Sequence, residues 1–82
     1  MLLKVLKVLK VLELINKGSG KIALNNLEIL SNKDIGEPLL GGYFIQLLKD
    51  MKQRKLIKSD ENGWYYSITE KGLDYLQEHY ED

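Results

Sequence analysis

Apolar residues fill most of the first fifteen positions, and single lysines or a glutamate interrupt them at every third position. The triplet Lys-Val-Leu occurs three times in succession, at 4–6, 7–9 and 10–12. Because three residues fall short of a full helical turn, the lysines wind slowly around the axis and leave a broad apolar arc. We predict a helix over residues 2–16 that ends at the glycine-rich segment 18–20.

The apolar arc of this helix is wider than one core contact requires. Three interpretations stay open: burial in the core of the chain, cover by a second subunit, and contact with a membrane surface. For a homodimer we predict contacts from four residues of the arc: Leu2, Val5, Leu9 and Leu12. The charged residues interrupt the segment too often for a membrane span, and we expect a soluble, cytoplasmic protein with no membrane partner.

The middle of the chain predicts two helices. Asn25 is a candidate N-cap for a short helix over 26–31, with Leu27 and Leu30 facing inward. Pro38 suits the first position of a longer helix over 38–54, since its missing N–H is not needed there. A buried stripe recurs along that helix at helical spacing: Leu40, Phe44, Leu47, Leu48 and Met51. The pair Gly41-Gly42 indicates either a close approach by another group or a frayed first turn.

Two strand-like segments, 55–59 and 64–68, flank an Asn-Gly pair at 62–63 and predict a β-hairpin. Alternation places Trp64 and Tyr66 on one strand face and Tyr65 on the other. One such face is expected to pack on the core. A stacking platform for single-stranded nucleic acid is the alternative, with Lys55 or Lys58 supplying the positive charge.

Thr69 is placed to cap a last helix over about 70–80, in which Leu73, Leu76 and Tyr80 share one face. Eighty-two residues suffice for one domain, 1–82, with a modest core. There is no cysteine and a single histidine, His79, so disulfides, a zinc site and a nucleophilic dyad have no basis in the sequence. We predict no cofactor, no metal and no catalytic residue, and we expect that the protein is not an enzyme.

The net charge is zero, but the charges are unevenly distributed. Residues 38–58 hold five basic side chains against Asp50 alone, whereas residues 59–82 hold seven acidic side chains against Lys71. A neutral total argues against an indiscriminate polyanion binder, yet the first of these segments permits a basic patch on one element.

The segment from Phe44 to Lys58, the Asn62-Gly63 turn and the segment from Trp64 to Leu76 together resemble the recognition helix, wing and closing helix of the winged helix-turn-helix superfamily. The resemblance is close over about 40 residues and extends to the whole chain in the order of elements. Segments 34–36 and 69–72 are also similar to small phage-associated proteins of the YjcQ type. The resemblance implies an α+β winged helix: a three-helix core with a β-hairpin wing and a C-terminal helix.

In that superfamily the third helix enters the major groove of DNA, and the resemblance implies a small transcriptional regulator that binds duplex DNA with helix 38–54. By position, the residues expected at the DNA are Gly42, Tyr43, Gln46, Lys49, Lys52, Gln53, Arg54, Lys55 and Lys58. Gln46 and Gln53 would read adenine edges, Lys49 guanine or phosphate, and the remaining cations phosphates. The glycine pair would let a phosphate approach the helix N-terminus.

Three acidic residues, in two places, depart from this picture. Asp60 and Glu61 lie at the wing tip, where carboxylates repel phosphates, and Glu37 precedes the recognition helix. The alternative function is therefore a protein-interaction module of phage or chromosomal origin that does not bind DNA. An ordinary solvated helix face would also carry glutamine and lysine.

Overall fold

The computed structural model describes residues 2–16, 20–33 and 36–79. Over these ranges the chain forms an α+β fold of four helices and a three-stranded antiparallel sheet. The elements are α1 (Leu2–Asn16), β1 (Ile22–Ala23), α2 (Leu24–Ser31), α3 (Gly42–Gln53), β2 (Ile57–Ser59), β3 (Tyr65–Ile68) and α4 (Glu70–His79). The strand order is β1-β3-β2, so β3 lies between the other two. No helix in the described ranges is long and apolar enough to cross a membrane.

Helix α1 lies at the centre of the fold, in contact with α2, α4 and β3. Its broad apolar arc is therefore covered by the chain itself on several sides, which agrees with the first of the three interpretations of that arc. Among the residues that the structure describes, the core has fifteen buried apolar side chains. The largest fully buried side chains in it are Phe44, Leu9, Leu12, Leu27, Leu48, Met51, Leu56 and Val8.

This central position argues against three of the four predicted dimer residues as contacts, while the homodimer itself stays a prediction. Val5, Leu9 and Leu12 are each at most 3% exposed, so they have no surface left for a second subunit. The side chain of Leu2 lies outside the described part of the structure. Of the described side chains of α1, the large apolar ones that face solvent are Leu3 and Leu14.

Helix α2 begins earlier than predicted, at Leu24, and Asn25 is not its N-cap. The N-cap is Ala23, which is also the last residue of β1. The backbone N–H of Leu24 donates to the carbonyl of Trp64 at 2.8 Å. Helix α2 therefore follows β1 with no loop between them. Leu27 is buried as predicted, but Leu30 is 40% exposed because it lies on the solvent side of α2.

Helix α3 begins later than predicted, at Gly42 rather than Pro38, because Glu28 of α2 and its C-cap residue Asn32 bind the preceding backbone. The Asn32 amide accepts from the N–H of Leu39 at 2.7 Å and donates to its carbonyl at 2.9 Å. Glu28 Oε2 accepts from the N–H of Gly41 at 2.7 Å. Gly41 then adopts φ +61°, which is incompatible with a helix and favours glycine. Leu40 falls in this non-helical segment and is 52% exposed rather than part of the buried stripe.

The C-terminus of α3 turns sharply towards the sheet. Lys55 donates to the carbonyl of Lys52 at 2.9 Å and Leu56 donates to that of Met51 at 3.0 Å, the two bonds of a Schellman motif. Lys55 itself has φ +63°, a conformation in which glycine is usual. Leu56 is thereby buried at the start of β2.

Thr69 joins the end of α3 to the start of α4. Its hydroxyl accepts from the N–H of Gly72 at 3.0 Å, so the predicted cap of the last helix is confirmed. The hydroxyl also lies 2.6 Å from the carbonyl oxygen of Lys55, and the backbone N–H of Thr69 donates to Leu56 at 3.2 Å. Leu76 is buried on the inner face of α4, whereas Tyr80 lies outside the described residues.

Replacement of Gly72 by alanine tests this close approach of α4 to Leu56. A Cβ on Gly72 would overlap the carbonyl oxygen of Leu56 and lie 2.8 Å from Ile68 Cγ1. Because a buried backbone group is hard to displace, we expect Gly72→Ala to lower the free energy of unfolding by about 3 kcal/mol. Urea unfolding measures the change.

Gly42→Ala is the matched control, since no atom lies within 4 Å of a Cβ at that position and its φ is negative. We expect it to be neutral or to add up to about 1 kcal/mol of stability. Equal stability of the two variants would contradict the described packing of α4.

Candidate nucleic-acid interface

Four of the predicted contact residues share one face of α3, which we call the outer face: Gly42, Gln46, Lys49 and Gln53. Their spacing of four, three and four residues aligns them along the helix, opposite the buried stripe that ends at Met51. All four are exposed, and none of them carries a negative charge. The structure thus brings together the central part of the predicted site.

A different depression lies on the side of α3 that faces α4. It is bordered by Arg54, Tyr43 and Gln46. Arg54 donates to the Tyr75 hydroxyl at 3.2 Å, and its Nη1 lies 3.7 Å from Asp50 Oδ2. The hydrogen bond from Arg54 to Tyr75 raises the pKa of the guanidinium above its ordinary value. Arg54 is therefore held towards α4 rather than towards the outer face.

A cleft separates the other side of α3 from the β2–β3 hairpin, with a volume of about 640 Å³. We call it the α3–hairpin cleft. Lys49 and Lys52 line its helical wall, and Trp64 lines its hairpin wall. Its other lining residues are Ala23, Leu24, Asn25, Ile45, Glu61, Asn62, Gly63 and Tyr66. The sequence did not indicate that Ile45 or Asn25 would meet the hairpin, because this proximity depends on tertiary packing.

Trp64 and Tyr66 border the same cleft, while Tyr65 lies under the ammonium of Lys21, at 4.9 Å from ring centroid to nitrogen. The predicted division of these aromatic residues between two faces is therefore confirmed. Tyr66 is buried, and its burial, with a smaller effect of Asp60, raises the pKa of its phenol. Trp64 is 67% exposed.

The lysines beside Trp64 are not the ones that the strand pattern suggested. Lys58 pairs with Ser67 in the antiparallel register, one residue away from the inward-facing pair Ile57 and Ile68. It therefore points to the outer side of the sheet, away from the cleft. Lys55 occupies the left-handed turn after α3 and is also absent from the cleft walls. The lysines that line the cleft with Trp64 are instead Lys49 and Lys52.

Asp60 organises the hairpin turn. Its Oδ1 accepts from the N–H of Trp64 at 2.8 Å and from that of Tyr65 at 3.3 Å. Gly63 takes φ +70° and donates to the carbonyl of Asp60 at 3.1 Å, as the predicted Asn-Gly turn requires. The bond from the N–H of Trp64 is the main reason why the pKa of Asp60 lies below its usual value of 3.8. The carboxylate of Asp60 at the hairpin tip therefore has a structural role, which is to hold the turn.

The remaining titratable candidates have only local contacts. His79 stacks on Tyr75 with 4.1 Å between ring centroids, and its Nδ1 lies 2.9 Å from the Tyr75 carbonyl oxygen. Within residues 2–16, 20–33 and 36–79, no group of three or more His, Asp or Glu side chains is arranged to hold a metal ion. Asp34, in the segment 34–36, lies outside the described ranges.

Comparison with known proteins adds no family to this geometry: no family model matches the chain, and neither curated proteins nor solved structures yield a significant match.

The lowered pKa of Asp60 predicts an acid-sensitive hairpin. A carboxyl whose pKa is lower in the folded state stabilises the fold above its unfolded pKa, and this contribution disappears as the pH falls through the folded pKa. For Asp60 the loss begins near pH 3.8 and continues below it. We expect the stability advantage of the wild type over Asp60→Asn to shrink over this range.

Thermal unfolding of both proteins between neutral and acidic pH measures the difference. Asp74→Asn removes an exposed carboxylate from α4 and controls for the change in net charge. A carboxyl pKa for Asp60 at or above its usual value, measured by NMR titration, would contradict the role assigned to its hydrogen bonds.

Proposed function

We propose that this chain is a winged-helix protein that binds duplex DNA through the outer face of α3 and acts as a small transcriptional regulator. The order of helices and strands supports the winged-helix assignment. A helix, a short strand and two helices precede the β2–β3 hairpin, and the short strand β1 pairs with β3. The hairpin would then be the wing and α3 the recognition helix.

The observation that carries the DNA proposal is the composition and length of the outer face. From Gly42 to Gln53 the face extends for about 16 Å at 1.5 Å per residue. It is exposed along this length, and glutamine and lysine are side chains that can read base edges in the major groove. The buried stripe on the opposite side anchors the helix, so the face is rigidly presented.

Phosphate contacts would come from cations around this face. Lys52 borders it on the cleft side, and Lys55 follows the end of the helix. Lys55 has a left-handed conformation in which glycine would be less strained. The presence of a charged side chain at such a position favours a functional role for the charge. Arg54 is bound to Asp50 and Tyr75 and Lys58 points away from the cleft, so both are weaker candidates.

The start of α3 is a weaker phosphate site than its glycine pair suggests. No other segment lies within 4 Å of a Cβ at Gly41 or Gly42, which leaves room for an anion. The Glu28 carboxylate, however, accepts from the N–H of Gly41 at 2.7 Å and repels a phosphate there. The hairpin tip has Asp60 and Glu61 and no cation between residues 60 and 64. DNA binding would therefore depend on α3 rather than on the wing.

Lys49→Gln tests this function directly. We expect the wild type to bind a labelled duplex of random sequence at 50 mM salt and to lose affinity steeply at 200 mM, as the release of counterions requires. If Lys49 contacts a phosphate, its loss lowers the slope of log affinity against log salt by about 0.9. Fluorescence anisotropy of the labelled duplex measures both quantities.

Lys71→Gln is the matched control, because Lys71 is exposed on α4 and its loss changes the net charge equally. It should leave the affinity for DNA nearly unchanged. Equal losses in the two variants would show a non-specific charge effect, and no binding by the wild type at low salt would exclude the proposed function.

A protein-interaction module is the second candidate, and the exposed apolar residues near the start of α3 favour it. Leu40, Tyr43 and Ile45 are all exposed, and Tyr43 is the most exposed of them at 78%. Aromatic and aliphatic side chains of this kind are common at the centres of protein interfaces. The duplex titration decides between the two functions, since a protein-binding module predicts no salt-dependent affinity for DNA.

A further inference from the structure

The binding of duplex DNA by the outer face of α3 leaves Trp64 without a role. Trp64 is the single tryptophan of the chain, and two thirds of it faces solvent in the α3–hairpin cleft. Burial of a side chain of this size stabilises a protein by a few kcal/mol, so its exposure forgoes that gain. An exposed aromatic side chain in a concave site is typical of a surface that contacts a ligand.

The backbone of Trp64 is held from both sides. Its N–H donates to Asp60 Oδ1 at 2.8 Å, and its carbonyl accepts from the N–H of Leu24 at 2.8 Å. These bonds link the hairpin turn to the start of α2 and fix the residue at the mouth of the cleft. The indole is therefore presented by a braced backbone rather than by an unsupported loop, which reduces the entropy that binding must overcome.

The other walls of the cleft define the chemistry of a ligand. Lys49 and Lys52 supply positive charge from α3, opposite the indole. Ile45, Leu24 and Tyr66 supply apolar surface. The amides of Asn25 and Asn62 can donate and accept hydrogen bonds. A flat ring that bears an anionic group at one end matches this combination, and a volume of about 640 Å³ suits a ligand of that size.

We propose that the α3–hairpin cleft binds an unpaired nucleotide of a DNA strand, with the base stacked on Trp64 and the phosphate beside Lys49 and Lys52. The base must be unpaired, because within a duplex its faces are covered by neighbouring bases. Glu61 is the one carboxylate among the described residues of the cleft wall and repels phosphate, so the phosphate lies on the α3 side. The proposal rests on the proposed function only in that Lys49 of α3 serves both sites.

The fluorescence of Trp64 gives a direct test in the intact chain. An oligothymidylate should quench this fluorescence by stacking, whereas an abasic strand of equal length and charge should quench it weakly. Labelled oligothymidylate should bind Trp64→Ala between about five and a hundred times more weakly than the wild type. Trp64→Phe, which keeps an aromatic face, should recover most of the affinity, and Glu61→Gln should increase it.

The proposal is overturned if the abasic strand and oligothymidylate quench equally, if Trp64→Ala binds oligothymidylate as the wild type does, or if no single strand binds. Circular dichroism melting establishes that each variant is folded. A blunt duplex separates this proposal from the proposed function, because Trp64→Ala should bind the duplex normally while Lys49→Gln should not. Normal duplex binding without single-strand binding would overturn the cleft site alone, whereas the reverse would overturn the duplex function alone.

Discussion

The contact between Leu56 and the segment from Thr69 to Gly72 sets the arrangement of the whole molecule. The Leu56 carbonyl accepts from Thr69, and the lack of a side chain at Gly72 lets α4 pack directly against this carbonyl. The same short stretch closes the Schellman motif that ends α3 and begins β2. The direction of α3, the position of the hairpin and the start of α4 therefore depend on one junction.

That junction and a second anchor hold α3 at its two ends. At the N-terminal end, Glu28 of α2 and the C-cap residue Asn32 bind the backbone at Gly41 and Leu39. Because α3 is held at both ends, its outer face is already ordered before a ligand binds. Such preorganisation favours ligand binding. The two sides of α3 differ in chemistry: Arg54 pairs with α4 on one side, and lysines face the hairpin aromatic residues on the other.

The sequence predicted those features that have a local cause. The Asn-Gly turn, the Thr69 cap and the buried stripe from Phe44 to Met51 each follow from the chemistry of a few neighbouring residues. The errors arose where distant side chains decide. Helix α3 starts late because Asn32 and Glu28 bind the preceding backbone, and Val5 is buried because the chain wraps around α1. The α3–hairpin cleft could not be predicted for the same reason, since its walls come from three separate segments.

The proposed contact between the outer face of α3 and DNA has a direct test. An NMR titration of the ¹⁵N-labelled chain with a short duplex tests it most directly, because each backbone amide reports its own surroundings. If this face binds the duplex, the largest shifts fall on Gly42, Gln46, Lys49 and Gln53, with little change along the exposed side of α4. Shifts confined to α4 or to α1, or none at low salt, would contradict it.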